Sequence, residues 1–194
     1  MNLAALAFST GWASGVNAYL VVLVLGLSER FGDVSAIPDV LGRVDVLIGA
    51  AVLYGIEFVA DKVPYLDSTW DAISTVLRPT VAAAIGVAVA GTDPDANAVL
   101  YGGMSGLTAL ASHSVKAGSR LAINTSPEPF TNIGASLGED VTVLGVVVLA
   151  INHPVIALGV TATLLVLGLV TLFFVVTYVR RGWRRWKGHP LPTG

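Results

Sequence analysis

His113-Ser114-Val115-Lys116-Ala117-Gly118-Ser119-Arg120-Leu121-Ala122-Ile123-Asn124-Thr125-Ser126-Pro127-Glu128-Pro129 stands apart from the rest of the chain and decides how the rest is read. Its flanks are runs of Val, Ala, Leu and Gly that read as membrane helices. If a helix beginning near 98 continues to about 124, His113, Lys116, Arg120 and Asn124 share one face, at i, i+3, i+7 and i+11 of a 3.6-residue turn. Such groups are costly in lipid and face a bundle interior or a water-filled cavity, which makes this stripe the anchor for function.

Composition sets the solvent. Of the 194 residues 54% are hydrophobic and 12% charged, against about 25% charged in an ordinary soluble domain. A net charge of −2 leaves no basic footprint for nucleic acid. The chain has no Cys, which excludes disulfides, thiol catalysis and thiolate metal sites. Met1-Asn2-Leu3 lacks a basic leader, so the first apolar run is expected to stay as a span.

Apolar stretches long enough to be spans lie at about 3–27, 46–60, 70–91, 98–121, 137–151 and 155–179. The expected fold is an all-α membrane protein of about six transmembrane or re-entrant helices, in one domain over 1–179, followed by a basic tail over 180–194. The second and fifth segments are short for a bilayer core of about 30 Å, which points to tilted, broken or re-entrant helices there. Arg180-Arg181-Gly182-Trp183-Arg184-Arg185-Trp186-Lys187 follows the last span directly, so the tail, and with six spans the N-terminus too, is expected in the cytoplasm. Topological anchoring accounts for that run; lipid-specific binding is the alternative.

Gly11-Trp12-Ala13-Ser14-Gly15-Val16-Asn17-Ala18 aligns without gaps on Gly102-Gly103-Met104-Ser105-Gly106-Leu107-Thr108-Ala109. Two halves, about 3–91 and 98–179, of three spans each would be inserted in opposite senses, the inverted repeat of many secondary transporters. Both copies contain G-x-x-x-G, Gly11 with Gly15 and Gly102 with Gly106, which lets helices approach closely. Packing of the first span on the fourth is one use of them and homodimerisation the other.

The first half carries the complement of the opening stripe. Glu57 and Asp61 share a face of the second segment, and Lys62 follows before Pro64 ends the helix. Asp67, Asp71, Ser74 and Arg78 line one face of the third, where Asp67 and Asp71 also suit the first turn of a helix. Asn17 adds a polar group to the first span that either bonds a neighbour or lines a pathway. Pro127 and Pro129 brace Glu128 in a segment read as irregular to Asn132, and Ser136 with Glu139 has the spacing of a capping box opening the fifth helix.

The motifs at Gly11–Leu20, Asp61–Asp67 and His113–Pro129 together resemble a family of small bacterial membrane proteins catalogued as a domain of unknown function, over roughly residues 5 to 178. The resemblance implies a polytopic protein of the bacterial inner membrane and carries no activity with it.

From the residues, the leading expectation is a transporter or channel-like protein. Lys62, Arg78, His113, Lys116 and Arg120 would supply positive potential for an anionic solute, with Glu57, Asp61, Asp67, Asp71 and Glu128 as partners or proton-coupling groups and His113 as the titrating switch. Proton or cation passage along the carboxylates is the runner-up. A scaffold held by buried ion pairs and an enzyme acting on lipid headgroups are the alternatives; the enzyme lacks any nucleophile, zinc or phosphate-loop motif. Neither a cofactor nor a metal is expected, because His153 and His189 lie far from His113. The expected partners are the lipid bilayer and a small ion or solute, not nucleic acid.

Overall fold

The computed structural model describes residues 1–32, 34–63, 66–123 and 129–187. Within them the chain is all helical: α1 (Leu3–Gly32), a short 3-10 turn (Asp39–Gly42), α2 (Val44–Ala60), α3 (Leu66–Ala90), α4 (Ala98–Ile123), α5 (Pro129–Asn152) and α6 (Pro154–Lys187). Four segments are long and apolar enough to cross a membrane: Leu3–Gly32, Ser68–Ala90, Phe130–Asn152 and Pro154–Arg181. The 17 residues of α2 fall just short, and α4 is long enough at 26 residues but diluted by Gly, Ser, His and cations. This is a membrane protein.

The bundle is built around α1. It packs against all five other helices, and 78% of its apolar window is buried, against 11% for α6. Small residues make this central position possible. A Cβ on Gly11 would stand 2.7 Å from the Ser105 backbone, and one on Gly15 would overlap Ala109 and the Ser112 hydroxyl. The α4 hydroxyls bridge the same interface, Ser105 donating to Ala7 O (2.9 Å) and Ser112 to Trp12 O (2.8 Å). Polar contacts between close backbones replace the hydrophobic drive that lipid cannot supply. Gly102 and Gly106 serve a different interface, lying against Val87, Ala83 and Pro79 of α3. Leucine, valine and phenylalanine side chains of α2, α5 and α6 point outward, where lipid covers them.

Three differences from the sequence expectation bear on the site, besides the run of α6 past 179 to Lys187. The first helix runs on to Gly32 but is interrupted at Asn17, whose φ of −151° and ψ of 94° are extended. The residue aligned with it in the second half, Thr108, lies inside unbroken α4, so the halves are not alike in detail. The third difference is the fifth helix, which starts at Pro129 and is 24 residues long rather than short. Proline is suited to a first helical position because its missing N–H has no partner there anyway. Asn132 is therefore helical, and Ser136 and Glu139 lie inside a helix, not at its cap.

Gly49 and Gly55 have nothing within 4 Å of an added Cβ. Gly15→Val is expected to destabilise by about 1–3 kcal/mol through overpacking, and Gly55→Ala to leave stability unchanged or slightly higher. Thermal unfolding in detergent, followed by tryptophan fluorescence, measures both.

Candidate functional site

The interruption of α1 creates the site. With Asn17 extended, the carbonyls of the turn before it lose their helical donors. Two cations take them up: Arg78 Nη1 donates to Gly15 O (3.2 Å) and Lys116 Nζ to Val16 O (3.0 Å). Asn17 starts the helix again, its Oδ1 accepting from Leu20 N (3.0 Å) as an N-cap does. Its Nδ2 donates to Asp140 Oδ1 of α5 (3.0 Å), so of the two roles read for Asn17 the structure displays the bond to a neighbouring helix.

Around this break the polar faces of four helices meet. Arg78 Nη2 pairs with Glu57 Oε1 of α2 at 2.5 Å, both side chains wholly out of solvent, while Nη1 stands 3.4 Å from Asp71 Oδ1. Lys116 pairs with Asp61 (2.7 Å), Glu139 (3.3 Å) and Glu57 (3.5 Å). Arg120 grips Glu139 with two bonds, Nε to Oε1 (3.1 Å) and Nη2 to Oε2 (2.7 Å), and also reaches Asp61. One connected network thus ties α2, α3, α4 and α5 to the broken end of α1. The helical period explains the grouping: residues 57 and 61, then 71 and 78, then 113, 116 and 120 each share a helix face.

His113 has no free ring nitrogen. The Arg78 guanidinium can only donate, so His113 Nδ1 (2.7 Å away) accepts, and the ring proton sits on Nε2, shared between Thr75 Oγ1 and Asp71 O (both 3.1 Å). To act as the titrating switch expected from the sequence, His113 would have to release Arg78 before Nδ1 could take a proton. Lys62 forms no ion pair among the described residues; its Nζ donates to Phe58 O (2.9 Å) and Ser136 Oγ (3.3 Å) and lies over the Phe58 ring. Burial at the end of α2 lowers its ammonium from the ordinary value, with Asp140 and Asp61 opposing.

Asn124, Glu128 and the side chain of Asp67 lie outside the described residues, as do Pro64 and the side chains of Trp183 and Trp186. Glu139, read from sequence as part of a capping box, belongs to the network, and Asp140 beside it bonds Asn17. Their signal is the face Asn132, Ser136, Glu139 at i, i+4, i+7, visible once the helix is started at Pro129; Asn132 and Ser136 are each 1% exposed. Among the described residues no group of His, Cys, Asp or Glu is arranged to hold a metal.

A cleft of about 360 Å³ between α1, α4, α5 and α6 reaches the network from the side. Its walls are largely apolar, among them Trp12, Val115 and Leu164, and Lys116 and Glu139 also line it. Glu139, at 20% side-chain exposure, is the most accessible member of the network.

Residues 4–173 match the family described as Domain of unknown function (DUF4126). The chain belongs to that family. No curated protein and no solved structure matches the chain. This chain forms a buried, branched ion-pair network at a break in its central helix.

Removing one partner of a buried pair costs about 3–5 kcal/mol because it strands the other charge. Glu57→Gln and Arg78→Met are each expected to destabilise by that order, and the double variant by clearly less than their sum. A double-mutant cycle on thermal unfolding in detergent reads the coupling.

Proposed function

We propose that the protein is a small transporter or channel-like protein that moves an ion through the charged core beside the break in α1. The observation that carries this reading is the break itself. Discontinuous helices whose freed carbonyls meet charged side chains at membrane depth are a recurrent way of building ion and substrate sites in transporters. A continuous α1 would pack more simply, and a broken one requires the cations that satisfy it.

The expectation of an anionic solute gives way to a proton or small cation. Arg78, Lys116 and Arg120 each already meet two or more carboxylates or carbonyls, which leaves an anion little unshared positive charge. The cleft to Lys116 and Glu139 supplies a lateral approach. The inverted-repeat reading belongs with this proposal: α1 and α4, the first helices of the two halves, lie against one another through Gly11 and Gly15. So does the orientation in the bacterial plasma membrane, with both termini cytoplasmic; it is supported by the basic run 180–187 and by a loop 92–97 without Lys or Arg.

The scaffold reading is the alternative, favoured by the saturation of the same cations: buried ion pairs fix helix register without any ligand. Purified protein in liposomes separates the two. Wild type is expected to dissipate an imposed proton or alkali-ion gradient, and Glu139→Gln, which alters the exposed member of the network, to slow it by at least about tenfold, a loss of roughly 1.4 kcal/mol of barrier stabilisation. A folded wild type with no flux of protons, alkali ions or small anions overturns the transport reading in favour of the scaffold. Because the chain lacks Cys, single cysteines placed at Ala96 and in the tail give a clean topology assay: an impermeant maleimide on intact cells should label the first and spare the second.

A further inference from the structure

The network does not balance. Among the described residues it sets three cations, Arg78, Lys116 and Arg120, against four carboxylates, Glu57, Asp61, Asp71 and Glu139. Adding the neighbouring Lys62 and Asp140 leaves the same excess of one negative charge. The carbonyls of Gly15 and Val16 add partial negative charge at the same place. An uncompensated charge in a low-dielectric interior is strongly unfavourable, so a further positive charge is required there.

The geometry also says which carboxylate carries the excess. Glu57, Asp61 and Glu139 each lie against two cations. Among the described residues Asp71 meets one, Arg78, at 3.4 Å, and its Oδ1, like Glu57 Oε2 and Asp61 Oδ1, receives no hydrogen bond, so the cation count is what sets Asp71 apart. One turn on, between Asp71 and Arg78 on the same face of α3, the Ser74 hydroxyl is wholly buried and also lacks a partner. Thr75 and His113 turn to the backbone carbonyl of Asp71 and leave its carboxylate alone. The other charged and titratable groups around it are Asp61 at the end of α2, His113, Lys116 and Arg120 of α4 and Glu139 of α5, none of them within ion-pair distance of its carboxylate, while Tyr19 of α1 and Glu57 of α2 lie beside Arg78. The excess is a single negative charge, which one monovalent cation balances and a divalent ion would overshoot.

We propose that the network holds one exchangeable monovalent cation, a proton or an alkali ion, on the Asp71 carboxylate beside the Ser74 hydroxyl. The site is defined by charge and contacts and exists whether or not the protein conducts; if the transport reading also holds, this is the ion that moves or couples.

The test is the thermal midpoint of the full chain in detergent, measured against pH in an organic-cation chloride, and against NaCl and KCl at fixed pH. A ligand that binds only the folded state raises stability with its concentration. Wild type is expected to gain several degrees in one arm: acidification if the charge is a proton, one alkali salt if it is a metal ion. Asp71→Asn, a neutral isostere that balances the network, is expected to match or exceed the wild-type midpoint and to be flat in that arm. Ser74→Ala is expected to shift an alkali-ion response to higher salt and to leave a proton response in place. A wild type flat in both arms overturns the proposal, as does an Asp71→Asn variant that still responds, or one as unstable as Glu57→Gln. Absence of flux in liposomes leaves this inference untouched, so the two readings fail separately.

Discussion

Arg78 is buried to the last atom in the interior of a membrane protein, and Glu57 on the neighbouring helix makes that tolerable. Everything around them follows from the same constraint. A guanidinium presents five donors, and in lipid their acceptors must come from inside the protein. Glu57, His113 and the Gly15 carbonyl supply acceptors to its two terminal nitrogens and Asp71 adds a charge partner, while Nε has no hydrogen-bond partner among the described residues. Satisfying Arg78 therefore fixes the rotation of α2, the register of α3 on α4 and the place at which α1 opens.

The break in α1 and the charges are one feature seen from two sides. An extended residue in the middle of a spanning helix strands carbonyls, and without Arg78 and Lys116 those carbonyls would face a dry interior. Conversely, Lys116 without Val16 O, Asp61 and Glu139 would be a charge without a home. The glycines close the arrangement: only with no side chain at 11 and 15 can α4 come near enough to α1 to bring Lys116 to the opened turn. The central helix is thus the most buried of the spanning helices and also the one held open by polar bonds.

Much of this was legible in the sequence. A 3.6-residue period fixes which residues share a face whatever the tertiary fold, so the stripes of α3 and α4 and the pair on α2 could be read from spacing, and the scarcity of charge in an apolar chain marked them as interior. The break was not legible. Asn17 is neither proline nor glycine, and its extended backbone is imposed by partners distant in sequence, Asp140, Arg78 and Lys116. Nor was the start of α5: two prolines in a row of polar residues read as an irregular segment, although the second of them is a good first residue for a helix. That one boundary hid Glu139 and Asp140, because an acid in a first turn is an ordinary cap and an acid further along is a buried charge.

The most direct measurement is a dipolar coupling between the lysine Nζ and the Val16 carbonyl carbon, by solid-state magnetic resonance on labelled protein in bilayers. Strong dephasing is expected, lost in Lys116→Met, as Nζ stands 3.0 Å from Val16 O. No dephasing, with Leu20 N bonded back to Val16 O as in an unbroken helix, would contradict it, because the opened turn on which the network is built would not exist.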